Sequence, residues 1–163
     1  MKNAYSKIKN VTGTVNAGLC KVLIAPREWL QYPIERDFNN GNVVIPIVLD
    51  SGREFYEIEF LPETYEFEEK TKTGKAGSYF DTSVQGIVNN ITPELLQVLE
   101  TLRYHEVVAI LKDRQRRLKV VGNKDKALTF RVSNKEISNN GGNQVVAIEM
   151  FMESEQLAPF YVE

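Results

Sequence analysis

In 163 residues there is one cysteine, Cys20, one histidine, His105, and one tryptophan, Trp29. A lone thiol excludes an intramolecular disulfide and a cysteine-built metal cluster, and suits a reducing compartment. Neither sign of charge is in excess: 20 Lys and Arg face 22 Asp and Glu, for a net charge of -2. No global field therefore draws the chain to nucleic acid or to an anionic membrane, and any polyanion contact must be local. No apolar run approaches the roughly 18 residues of a membrane-spanning helix. The opening MKNAYSKIKNVTGTVNAG has no apolar core of its own and does not read as a secretory signal. Glycine-rich nucleotide loops, H-E-x-x-H and G-x-S-x-G are all missing.

What is present is a chain 42% hydrophobic, enough to bury a core, in a pattern dominated by strands. Residues 1–20 are polar with scattered apolar positions and read as an extended N-terminal arm. Residues 21–163 read as a single β-rich domain. VVIPIVL (43–49) is an apolar run that Pro46 demotes to an edge or bulged strand. In 53-REFYEIEFL-61, Tyr56, Ile58 and Phe60 alternate with Glu57 and Glu59. In 63-ETYEFEEK-70, Tyr65 and Phe67 alternate with Glu66 and Glu68. That period of two marks strands buried on one face. The stretch 70–78, with Lys70, Lys72 and Lys75 and no apolar anchor, reads as a protruding hairpin loop or finger.

One helix stands out, over about 92–103. Thr92 is placed to cap it and Pro93 falls at its first position, where a missing N–H costs nothing. Leu95, Leu99 and Leu102, widened by Leu96 and Val98, give it a stripe to lay on a sheet. Further strands are expected at 106–111, 117–121, 128–132 and 144–152, the last two parted by the turn signal 138-SNNGGN-143. The fold class is mainly β: an antiparallel sandwich or partly closed barrel with one flanking helix.

No enzyme is expected. His105 is better read as a helix-end residue than as a general base, and Cys20 has no activating neighbour in sequence. The glutamates alternate outward along strands, as solvated or partner-facing side chains do, so no catalytic or metal residue and no cofactor is assigned.

The unusual stretch is 111-LKDRQRRLKVVG-122, where Lys112, Arg114, Arg116, Arg117 and Lys119 crowd a strand–turn–strand with only Asp113 against them. Three readings stay open: a solvated turn, a protein-docking patch, and a ribbon following phosphates. Positions 111–122 carry no aromatic residue to stack on bases, which weighs against the last. Docking has a complement in the chain itself, since Glu57, Glu59, Glu66 and Glu68 form a row of opposite sign. Acidic row on one copy against basic hairpin on the next is a heterologous contact, which closes into rings or extends into tubes. The expected contact residues are these nine together with Lys72 and Lys75.

The order of arm, β-core with one helix, mobile loop, the turn 110-ILKDRQRRLKVVGN-123 and a late hairpin, with segments such as YHEVVAILKD and LKVVGNKDKALTF, resembles small virion proteins of tailed bacteriophages. The likeness is to neck, ring or tail-tube-like proteins of phages infecting Bacteroidetes, the crAss-like group included, and covers about residues 43–152. It implies a β-sandwich or barrel whose copies form a homo-oligomeric ring around a channel for genomic DNA. Portal, neck or tail components would be its neighbours, with no membrane involved, and the ring would be assembled in the host cytoplasm and carried in the virion. Channels of that family tend to be acidic, so the basic hairpin is the departure and belongs at a subunit contact.

Overall fold

Two segments that lack alternation, KVLIAP and EVVAILK, become β1 (Lys21–Pro26) and β5 (Glu106–Lys112). A strand apolar at consecutive positions must be covered on both faces, and both are interior strands of an eight-stranded antiparallel sheet. The computed structural model describes residues 21–37, 39, 47–89, 91–113, 115–136 and 144–161. The expected arm at 1–20, Cys20, most of VVIPIVL, Arg114 and the 138–143 turn lie outside the described residues.

The remaining strands are β2 (Tyr56–Glu59), β3 (Glu66–Gly74), β4 (Gly77–Val88), β6 (Leu118–Val121), β7 (Leu128–Glu136) and β8 (Gln144–Ser154). Their hydrogen-bonded order is β2-β1-β5-β7-β8-β4-β3, with β6 also on β5. β6 and β7 share one edge of β5: Ala109 pairs with Val121 and Val107 with Leu128. Residues 122–127 bulge out between them, starting at Gly122, whose φ of +92° suits glycine. Asn123 then acts as a substitute peptide group, accepting from Ile34 N at 2.8 Å and donating to Ile34 O at 2.9 Å.

The two terminal strands of the sheet, β2 and β3, are consecutive in sequence. A corner with a short 3-10 turn (Pro62–Thr64) joins them and is tied to β4: Leu61 N donates to Ile87 O at 2.8 Å, and Ile87 N donates to the Thr64 hydroxyl at 2.9 Å. The Phe60 ring lies so close to β4 that a Cβ on Gly86 would sit 2.5 Å from it. These ties curl the sheet into an open barrel. Inside it Val22, Ile24, Ile58, Phe60, Val84, Leu128, Ile148 and Met150 form one core, and α1 (Pro93–Leu102) adds Leu99 and Leu102. On the outer face of β1, β5 and β6, a second core forms from Leu23, Val108, Ile110 and Val120. Leu30, Leu49, Phe55 and Tyr161 cover it from the connecting segments.

The helix begins as its sequence indicates, with the Thr92 hydroxyl accepting from Leu95 N at 3.2 Å. Its stripe is narrower than expected: Leu96 faces solvent, and only Leu95 and Val98 flank the buried pair. The stretch 70–78 also differs from a loop. It is paired strand to the tip, with Lys72 opposite Tyr79 and Gly74 opposite Gly77, leaving only Lys75 and Ala76 as turn. Its β-branched threonines and short glycine tip favour a ladder over a coil.

Gly86→Ala is expected to lower stability by about 1–3 kcal/mol through overpacking against Phe60. Urea unfolding of the two chains measures it, and the exposed cap variant Thr92→Ala, at about 1 kcal/mol, gives the scale.

Candidate functional site

Asp113, the one acid in the basic stretch, turns out to organise it. Its backbone closes the turn, Asp113 N donating to Arg117 O and Arg116 N donating to Asp113 O, both at 2.9 Å. Its carboxylate accepts from Gln115 N and Arg117 N through Oδ1, and from the Arg117 guanidinium through Oδ2 at 2.9 and 3.0 Å. These bonds hold Arg116 at φ +63°, a left-handed conformation that costs a non-glycine residue about 1 kcal/mol or more. Burial by itself would raise the Asp113 pKa, but the donors from Arg117 and Gln115 outweigh it and hold the carboxyl below its ordinary value.

The described cations among the five expected to act together are therefore separated. Arg117 is bound to Asp113, and its guanidinium lies 4.3 Å from the centroid of the Phe160 ring. Lys119 is buried. With only 9% of its surface exposed, it points into the barrel and meets Glu69 Oε2 of β3 at 2.7 Å. Phe160 and Phe67 flank its ammonium at 5.0 and 5.5 Å. The reason is strand parity: Lys119 shares a face with Val121, which belongs to the inner core. Lys119 is thus withdrawn as a subunit contact. Lys112 is half-buried, and burial, then the nearby Arg116, lowers its pKa. Of the described cations of the stretch, Arg116 is the one that is exposed and forms no ion pair. Arg114 lies outside the described residues.

The acidic row is also divided. Glu57 and Glu59 stand on β2 and Glu66 and Glu68 on β3, at opposite ends of the hydrogen-bonded order. Glu57 meets Lys21 at 3.0 Å, Glu66 accepts from Gln85 at 2.7 Å, and Glu68 meets Lys70 at 2.7 Å. Glu59 is exposed beside Lys21 in the register. Lys72 pairs with Asp81 within the hairpin, and Lys75 is exposed at its tip. His105 follows α1 and meets Glu28 at 2.9 Å.

Reading Glu57, Glu59, Glu66 and Glu68 as the acidic partners missed the acid that matters most. Glu69 continues the inward series Tyr65, Phe67, Glu69, and that parity is the signal that marks it. Its second oxygen accepts from Ala158 N at 2.7 Å. The C-terminal segment then lies along β6, with Val120 N donating to Pro159 O at 3.0 Å and Tyr161 N donating to Leu118 O at 2.9 Å. Tyr65 Oη donates to Lys112 O at 2.8 Å nearby. Three elements distant in sequence thus meet at one seam: β3, the β5–β6 hairpin and the C-terminal segment.

Beside the seam a cleft of about 330 Å³ opens between the 122–126 bulge and residues 154–159, bordered by Arg36, Thr82, Asp125 and Met152. Arg36 donates to Leu157 O there at 2.9 Å, and burial lowers its pKa, with Glu69 pulling the other way. Among the described residues, no three of His, Cys, Asp or Glu converge as a metal ion requires. The chain matches no protein-family model, no curated protein and no solved structure.

Two outcomes test the seam. Lys119→Met should cost about 3–5 kcal/mol, since it leaves Glu69 buried without its counter-charge. Lys119→Met with Glu69→Gln, which keeps an acceptor for Ala158 N, should recover most of that loss in urea unfolding. For Asp113 the folded pKa lies below the unfolded one, so its contribution is full above about pH 4 and fades as pH falls toward the folded value. Asp113→Asn should lower stability at neutral pH and flatten the stability–pH curve below about pH 4.

Proposed function

We propose that the chain is a non-enzymatic virion protein whose copies assemble into a ring or tube in the neck or tail of a tailed phage. Genomic DNA would pass through the lumen, and portal, neck or tail components would adjoin the ring. The observation that carries this reading is the β3–β4 ribbon. The last β4 residue backed by β8 is Phe80, opposite Ser154, and residues 70–78 are exposed on every side. From Lys72 to the turn the ribbon overhangs the body by roughly 13 Å at a strand's rise per residue. A two-stranded ribbon without an apolar face is marginal by itself in water, and it gains by lying against a neighbour.

Charge favours the same contact. Residues 71–79 contain no acid, and beside Lys72, which meets Asp81, they carry the exposed Lys75, so the tip suits an acidic surface. Glu57 and Glu59, on the edge strand β2 of the next copy, supply one. A ribbon on one copy against a β2 edge on another is heterologous, the geometry that generates rings or tubes. Each exposed ion pair adds only about 0–1 kcal/mol, so the charges set register while repetition around the ring sets stability. Relative to the sequence expectation, the contact moves from the 112–119 hairpin to the ribbon. Arg117 and Lys119 already have partners within the chain. The same fact weakens a phosphate-binding role for that hairpin.

Light scattering and electron microscopy of purified chain should show closed rings or tubes. Lys72→Glu with Lys75→Glu should reduce assembly at least about tenfold in the concentration required, while Arg116→Glu changes it little. Assembly that is indifferent to the ribbon charges would remove the proposed contact. Steep, salt-sensitive DNA binding by the unassembled chain would favour a nucleic-acid module instead.

A further inference from the structure

The C-terminal segment occupies β6 in a way that points to a second use of that edge. It is recognised at every position from 157 to 161. Arg36 holds Leu157 O, Glu69 holds Ala158 N, and Val120 N holds Pro159 O. Phe160 lies against Arg117 and Lys119, and Tyr161 is buried in the outer core. Yet the hold is light in backbone terms. Pro159 has no N–H, so its rung with Val120 carries only the bond from Val120 N. The linker from the end of β8, residues 155–157, is exposed.

We propose that the β6 edge is a docking groove for the C-terminal segment of a second copy of this chain, and that the chain's own residues 157–161 hold the groove until copies exchange them. Two features favour exchange over simple release. An emptied groove would strip Glu69 Oε1 of its Ala158 donor and the Lys119–Glu69 pair of its Phe160 cover, and a buried acceptor left without a partner is costly. A second copy offers the identical segment, so every bond is remade in trans at no loss of chemistry, which makes such swaps an inexpensive route to association. The inference rests on self-association in the reading above, but it uses a different surface from the ribbon.

The test begins with a full chain lacking Glu155 and Gln156, so that its segment cannot reach its own groove. Lys72→Glu and Lys75→Glu are added so that ribbon contacts do not contribute. Light scattering should show a dimer or larger species, and a folded monomer would overturn the proposal. If that chain fails to fold, a second variant serves, with four Gly-Ser residues inserted between Gln156 and Leu157 to dilute the tethered segment. A fluorescent peptide of residues 153–163 should then bind about tenfold more tightly than to the parent chain. The Phe160→Ala peptide should not bind. Equal binding of the 153–163 peptide to both chains would overturn the proposal. Ring assembly that persists despite Lys72→Glu and Lys75→Glu, with exchange retained, would count against the ribbon contact alone.

Discussion

Curling a sheet toward a barrel brings its last strand against strands it does not pair with, and in this chain that approach is held by one buried ion pair. β3 reaches β6 through Glu69 and Lys119, with a carboxylate oxygen left to grip the Ala158 backbone. Burying both charges is unfavourable unless each finds nearly all its partners. The surroundings follow from that demand: Phe67 and Phe160 flank the ammonium, and the C-terminal segment supplies the remaining donor. The seam is specified by polar complementarity where the rest of the barrel is specified by apolar packing and strand ladders.

The same pair reorganises the surface. A stretch with five cations in eight positions looks like an interaction patch, but the fold draws one cation inside and ties another to Asp113. Arg116 stays exposed, and so does Lys75, at the tip of a ribbon that the sheet does not support on its outer half. Interaction capacity in this molecule is therefore set by which charges the fold leaves unneutralised, and the local density of lysine and arginine is a poor guide to it.

The antiparallel β architecture, the single helix and most strand positions other than β1 were legible in the sequence, because alternation and apolar runs report directly on one-face and two-face burial. VVAIL could be read as a strand without any tertiary knowledge, and Thr92-Pro93 marked a helix start with a mechanism. What was not legible was the partner of each charge. Lys119 and Glu69 are 50 positions apart, and nothing local to either names the other. Parity gave half of the answer, since both fall on inward positions of their strands, but an inward charge reads as an exception until its counter-charge is located. The pairing within the 70–78 finger was not legible for a related reason: without apolar residues a paired ribbon and a loop have the same composition, and only the cross-strand register separates them.

The strand order also carries a consequence for how the molecule comes into being. The β3–β4 and β7–β8 hairpins join near neighbours in sequence, whereas β1 meets β5 through Leu23 and Ile110, across most of the chain. Ladders with such separation form late because the loop must close before they reward it. A chain emerging from the ribosome would thus present β1, apolar on both faces, long before either core can receive it. The seam is completed later still, because it needs β3, β6 and residues 158–160 together.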